Sequence, residues 1–291
     1  MGPVASIRSR DVVRVAGPDA VSFLQGQLSQ DVAGLAVGTS AWSLLLQPQG
    51  KVEAWVRVHR TADDTVLVEV DAGWGDAVLS RLRRFHLRVD CTLTLEDRWT
   101  CVEVRGDGAE EVGEAVGATG DELVAPSIWP GAPGVDLVGR PAAVPDGVVV
   151  DDAAVEALRI CAGVPRMGAE LDDSVIPAEA GPWLVDRSAS FTKGCYVGQE
   201  LVARVESRGS NTPRHLRGLR LHGPAEVGEE LVDEAGRAVG RITSVAGDLA
   251  LGYVARSVEV PVVLRTEDGT DLTAAALPLS DPEAAPPGTA G

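Results

Sequence analysis

Residues 193–200 read KGCYVGQE, a cysteine between glycine and tyrosine with a lysine two positions before it and a Gln–Glu pair soon after. A thiol acts as nucleophile, redox centre or metal ligand through its thiolate, so the neighbours that would stabilise the anion matter most. Downstream, Val197, Leu201 and Val205 recur every fourth residue, Glu200 and Arg204 stand at i,i+4, and Gly209 follows, which predicts a short amphipathic helix. Cys195 would then precede its first turn, where unpaired N–H groups and the helix dipole favour a thiolate, with Lys193 adding positive charge. Two readings stay open on residue chemistry alone: a reactive thiol, or a glycine-flanked turn whose thiol merely packs. The other cysteines, Cys91, Cys101 and Cys161, sit among apolar neighbours as small buried hydrophobes do. The gaps between the four match no zinc ribbon, CxxC pair or ferredoxin-type cluster, so no metal site is expected.

The elements that must carry this loop are legible in outline. A chain of 291 residues, 45% hydrophobic and 24% charged, fits two or three modest domains of an ordinary globular protein. Its formal charge of −17 repels phosphates and anionic lipid, which argues against broad nucleic-acid binding or membrane association. No long apolar run or signal-peptide pattern is visible, and a cytoplasmic location is expected. One stretch runs against the trend: RLRRFHLRVD (81–90) carries Arg81, Arg83, Arg84 and Arg88. It reads as a solvated helix end or as a dock for an acidic partner.

A strand around Val12–Val15, a helix opened by Asp19 with Ala20, Phe23, Leu24, Gln27 and Leu28 at helical spacing, and a three-stranded antiparallel meander over 40–71 are predicted. An amphipathic helix over 74–85 follows, then two separate strands, CTLTLED and WTCVEVRG. A helix over 109–118, a strand DELVAP, a Pro/Gly-rich passage over 129–147 and a helix ending at Gly163 complete the first part. After Thr212, short strands at regular spacing suggest a small β-barrel or sandwich.

KGCYVGQE resembles the signature of the YgfZ-type folate-binding proteins, relatives of the glycine-cleavage T-protein, an aminomethyltransferase. The segments AGPDAVSFLQGQLSQDVAGL (16–35), LRICAGVPRMGAELDDSVIPAEAG (158–181) and GRAVGRITSVAGDLALGYV (236–254) are similar to other parts of that family, so the resemblance spans nearly the whole chain. It implies a T-protein-like α+β fold: two α+β lobes and a C-terminal β-barrel around a central folate cavity. The first lobe would be discontinuous, residues 1–48 with 142–206. The second would be 49–141, the barrel 207–280, and 281–291 a disordered tail.

The resemblance also implies function: a tetrahydrofolate-binding accessory protein that assembles or repairs iron–sulfur enzymes, including tRNA-modifying ones; a monomer is expected. Its partners would be iron–sulfur client or scaffold proteins, and its motif Lys193, Gly194, Cys195, Tyr196, Gly198, Gln199 and Glu200, with Cys195 the reactive thiol. Arg159 matches the ligand-holding arginine of T-proteins, though a helix-end pairing with Asp151, Asp152 or Glu156 is equally open. Glu179, Gln25 and Gln27 are the other candidate folate contacts. The paired aspartates of T-proteins fall on Ala54 and Trp55, neither of which takes a proton, and their acidic pterin-binding residue falls on Ala132. That argues against aminomethyl transfer. A one-carbon transferase or demethylase using another base, and a non-catalytic adaptor with a vestigial cavity, remain the alternatives.

Overall fold

The computed structural model describes residues 2–118, 122–207, 209 and 211–279, so the expected tail at 281–291 lies outside the described residues. Its strands and helices in the first half are β1 (Val4–Ala16), α1 (Ala20–Gln27), β2 (Thr39–Leu46), β3 (Val52–Ala62), β4 (Thr65–Asp71), α2 (Gly75–Phe85) and β5 (Thr92–Arg105). There follow α3 (Ala109–Gly117), β6 (Leu123–Pro126), β7 (Gly134–Gly139), β8 (Val149–Val150), α4 (Asp152–Ala162), α5 (Pro182–Ser188) and α6 (Gln199–Ser207). The last strands are β9 (Arg214–Leu221), β10 (Glu230–Val232), β11 (Ala238–Ala246), β12 (Leu249–Ala255), β13 (Val262–Thr266) and β14 (Asp271–Ala275). They group into two compact units. Met1–Ile128, Pro133–Asp152 and Arg166–Thr212 form the first; Trp129–Ala132, Ala153–Pro165 and Pro213–Gly291 form the second.

In the first unit the strands run in the order β2-β3-β4-β1-β5-β7-β6, with β8 parallel to β1 beside the main path. β1 is central because its side chains alternate, burying Val13 and Val15 on one face. The two strands expected over 91–106 are one, β5, paired along all of β1. The ladder shifts register between Arg10 and Val12, and Arg98 opposite this irregularity adopts φ +63, so a bulge keeps one long strand in place of two. The Pro/Gly-rich passage also differs from expectation. Its Gly134–Gly139 is β7, wholly buried between β5 and β6. A Cβ on Gly134 would lie 2.1 Å from the Val104 carbonyl oxygen, so glycine there serves close strand approach rather than a loose connection.

The sheet takes strands from 1–48, 49–141 and 142–206 alike, and the expected boundary at 48/49 falls in the β2–β3 hairpin, paired from Thr39–Arg60 to Leu46–Val52. α1 buries Ala20, Phe23 and Leu24. At the start of α2, Asp11 of β1 accepts the N–H groups of Gly73 and Gly75, both at 2.8 Å, which satisfies donors the helix cannot pair itself.

The second unit contains a closed barrel, β10-β11-β12-β9-β14-β13. Leu219, Leu221, Leu231, Ile242, Leu264 and Leu272 fill it. At roughly 2 kcal/mol for each fully buried side chain, these anchor the barrel core. Gly163, at φ +73, ends α4.

Candidate functional site

The motif loop is fastened by hydrogen bonds from its lysine and by a glycine that fits where no side chain could. The Lys193 ammonium donates to the carbonyl oxygens of Gln25, Leu28 and Gln30 at 2.5, 2.7 and 2.9 Å, gathering the acceptors left over where α1 ends. Burial pushes this ammonium down to about 8, with Asp31 acting in the opposite sense. Ahead of it, Ser190 donates its N–H to the Ser29 carbonyl, and the Ser29 hydroxyl donates to the Ser188 carbonyl at 2.5 Å. Past it, Gly198 at φ +84 faces the β2–β3 turn, where a Cβ would meet the Gln47 carbonyl oxygen at 2.6 Å. Only glycine suits both demands.

Cys195 stands between these two anchors, free and exposed, while Cys91 and Cys101 are buried and Cys161 is half-buried. Two expectations about its surroundings differ in the structure. α6 starts at Gln199 rather than next to the thiol, because Val197 and Gly198 form a turn in which Gln199 accepts the Tyr196 N–H through its side chain. The Lys193 charge is likewise committed to α1. Beside the loop lies a cleft of about 320 Å³, lined by Phe191, Lys193, Tyr196, Gln199, Glu200 and Ala203. Phe191 is half exposed at its edge, and Tyr196 is buried with its ring 5.2 Å from the Lys193 ammonium.

The other sequence-predicted residues are placed as follows. Gln25 donates to Asp31 at 2.8 Å and accepts the Ala33 N–H at 3.0 Å, which closes the loop after α1. Gln27 accepts from Arg81 at 3.3 Å. Glu179 is buried in a short 3-10 turn, Pro177–Glu179, and its carboxylate lies 3.4 Å from the Ile176 nitrogen. Arg159 belongs to the second unit and is 1% exposed; it pairs with Glu156 at 2.8 Å and donates to the Val164 carbonyl at 2.5 Å, closing the end of α4. Arg81 is not the solvated cation of the basic stretch: it is buried and paired with Glu53 at 2.9 Å, leaving Arg83, Arg84 and Arg88 exposed. Ala54 is fully buried and Trp55 nearly so, its indole N–H donating to Ser188 and its ring stacked on Trp42 at 4.1 Å.

One cluster escaped the sequence reading. On the sheet, Arg57 pairs with Glu69 at 2.8 Å and Asp136 at 2.6 Å, Arg105 pairs with Asp136 at 2.7 Å, and Arg10 reaches Glu69 at 2.6 Å. The arginines hold Glu69 far below the usual carboxylate range and pull Asp136 down against their burial. His59 lies 2.7 Å from Glu69, yet desolvation keeps it below its ordinary value. The signal was present in VEAWVRVHR and TVLVEVD, where charged residues hold one parity inside otherwise apolar strands. Among the described residues no group of three or more His, Cys, Asp or Glu side chains is arranged to hold a metal ion. No helix among them is long and apolar enough to cross a membrane.

Residues 7–123 match the GCVT N-terminal domain, and residues 214–285 match the CAF17 C-terminal β-barrel domain. The chain is 30% identical over 221 residues to the tRNA-modifying protein YgfZ of Edwardsiella ictaluri, covering 68% of this chain and 65% of that protein. It is 26% identical over 225 residues to the mitochondrial iron-sulfur cluster assembly factor IBA57 homolog of Neurospora crassa, with 71% of this chain aligned. The match spans about half, 51%, of that longer relative. The glycine cleavage system aminomethyltransferase T of Bartonella henselae superposes with a TM-score of 0.72 at 20% identity, over 94% of this chain and 86% of that one. The fold is therefore T-protein-like, as the resemblance implied.

Proposed function

From the premise that the chain is a GCVT-domain protein ending in a CAF17-type β-barrel, we propose that it is a tetrahydrofolate-binding accessory protein for the assembly or repair of iron–sulfur enzymes, tRNA-modifying ones among them. The observation that carries this reading is the mounting of Cys195. An exposed thiol sits between two fixed points, the Lys193 ammonium on three carbonyls and Gly198 against the β2–β3 turn. A loop held this tightly costs little further ordering when a partner presents a sulfur or iron atom to it. Its partners are iron–sulfur client or scaffold proteins, and its location is the cytoplasm.

For folate, Arg159 offers a guanidinium to a carboxylate or pterin edge. The Gln25 and Gln27 amides, like the Arg159 guanidinium on Glu156 and the Val164 carbonyl, make internal hydrogen bonds that a ligand would have to displace. Aminomethyl transfer is disfavoured further by geometry. Ala54 and Trp55 carry no carboxylate, and the adjacent Glu53 is committed to Arg81.

Calorimetric titration of tetrahydrofolate into the reduced full-length protein tests the reading. Binding at micromolar concentration, kept in Cys195→Ala and weakened in Arg159→Gln, is the expected result. Absence of binding in the parent protein would sink the folate reading.

A further inference from the structure

The acidic character of the chain reverses at the end of α2. No acid occurs between Asp76 and Asp90, while Arg83, Arg84 and Arg88 stand close together in that gap and are exposed. None of these three guanidiniums makes a side-chain hydrogen bond or ion pair among the described residues. The acids around them are occupied or set aside: Glu53 is taken by Arg81 at 2.9 Å, and Asp19 accepts the Asp90 N–H at 2.8 Å on the Cys91 side of the loop. Burial first, and Arg84 after it, push Arg81 below its ordinary value against the pull of Glu53.

Apolar side chains stand among these cations. Leu87 is 78% exposed, the most open of the large apolar side chains described, and Phe85 is 40% exposed with its ring 4.2 Å from the Arg81 guanidinium. A single exposed leucine needs no explanation, but this one is held in place. On one side the His86 imidazole bonds the Cys91 carbonyl at 2.8 Å and meets the Phe23 ring edge-on at 5.7 Å. On the other, Arg88 adopts φ +58, a conformation uncommon outside glycine. Fixed neighbours therefore keep Leu87 in water.

The root of this patch shares its supports with the Cys195 loop. Arg81 donates to the Gln27 side chain at the end of α1 and to the Leu46 carbonyl at the end of β2, both at 3.3 Å. Lys193 is fastened to the same end of α1, and a Cβ on Gly198 would lie 2.8 Å from the Leu46 Cβ.

We propose that Arg83, Arg84, Phe85, Leu87 and Arg88 form a docking surface for a partner protein, whose acidic segment meets the three guanidiniums and covers Leu87 and Phe85 with an apolar side chain. Charge complementarity selects this occupant. A chain of net −17 repels an acidic protein at long range, but within the screening length of roughly 8 Å the local cations decide where contact is made. Nucleic acid and anionic lipid spread their charge widely and meet the whole acidic field, whereas a protein segment can confine its carboxylates to the patch. The surface does not depend on the folate reading.

The test uses the full-length protein in the cells that make it, with the photoreactive substitution Leu87→p-benzoylphenylalanine and the same substitution at Val227, also exposed, as control. The cross-linked segment is sequenced by mass spectrometry, and a synthetic peptide of that segment is titrated into the unsubstituted protein by fluorescence anisotropy. The expected result is an adduct from position 87 and not 227, to a protein segment in which acids outnumber bases around an apolar residue. Its peptide should bind saturably, about tenfold or more weaker to the Arg83→Gln, Arg84→Gln, Arg88→Gln triple variant and about fivefold weaker to Leu87→Ser. Adducts to lipid, nucleic acid or a second copy of the chain would overturn the proposal, as would no adduct above the Val227 control. So would a peptide that fails to bind up to about 1 mM, or binds equally to both variants when their near-ultraviolet circular dichroism is native.

Discussion

Arginines stand inside both units of the molecule, on the sheet around Arg57 and at the barrel mouth around Arg217, and their company differs. Arg57, Arg105 and Arg10 share Glu69, Asp136 and Asp71 at hydrogen-bond distance, so three cations meet three acids across neighbouring strands. Arg217, half-buried on β9, has no such set of acids around it, and burial alone pushes it below its ordinary value. Complete pairing lets the sheet cluster settle its own electrostatics, so it holds strands together. Arg217 contributes no such cross-links to the barrel wall. Burial alone does not separate structural from functional charge; the inventory of counter-charges does.

Removing one charge from each setting gives the widest contrast. Glu69→Gln strands Arg10 and Arg57 in the interior and should cost about 3–5 kcal/mol in denaturant unfolding. Arg217→Gln removes a charge that has no partner to strand, and should change stability by about 1 kcal/mol or less. Equal losses would erase the distinction between the two clusters. Lys193 is an intermediate case, a half-buried cation satisfied by backbone oxygens alone. Lys193→Met should cost about 1–2 kcal/mol and speed the reaction of Cys195 with a disulfide reagent as the loop loosens.

The histidines sharpen the comparison at smaller amplitude. Both His59 and His215 lie below the ordinary value of 6.5. For His59 the unfolded chain binds a proton that the folded one refuses, so stability falls as pH drops below 6.5. Glu69 adds a second loss below about 4.5, its ordinary value, because its folded carboxyl resists protonation. His59→Gln should flatten the first window and leave the second, as read from unfolding midpoints between these limits.

Much of this architecture could be read beforehand. α1, α2, α3 and the β2–β4 meander follow from hydrophobic period, and the barrel follows from regularly spaced short strands. β7 escaped because its glycines look like turn residues until Val104 is seen to press against Gly134. β5 escaped because Asp97 and Arg98 look like a break, although the bulge opposite Arg10 carries the strand through them. The motif was visible as chemistry, but the use of Lys193 was not, since its three acceptors come from residues more than 160 positions away. Arg57, Glu69 and Asp136 likewise meet only through strand order.

The placement of Lys193 also bears on what reagents can reach. Lys51 and Lys193 are the only lysines in the sequence, and its other basic side chains are arginine and histidine. Amine-directed acylation and cross-linking need an approach to the nitrogen, and that of Lys193 is half-buried and ringed by three carbonyl oxygens. In the folded protein such chemistry should therefore mark Lys51 before Lys193, and a label arriving at Lys193 would report that the Cys195 loop had come off its helix.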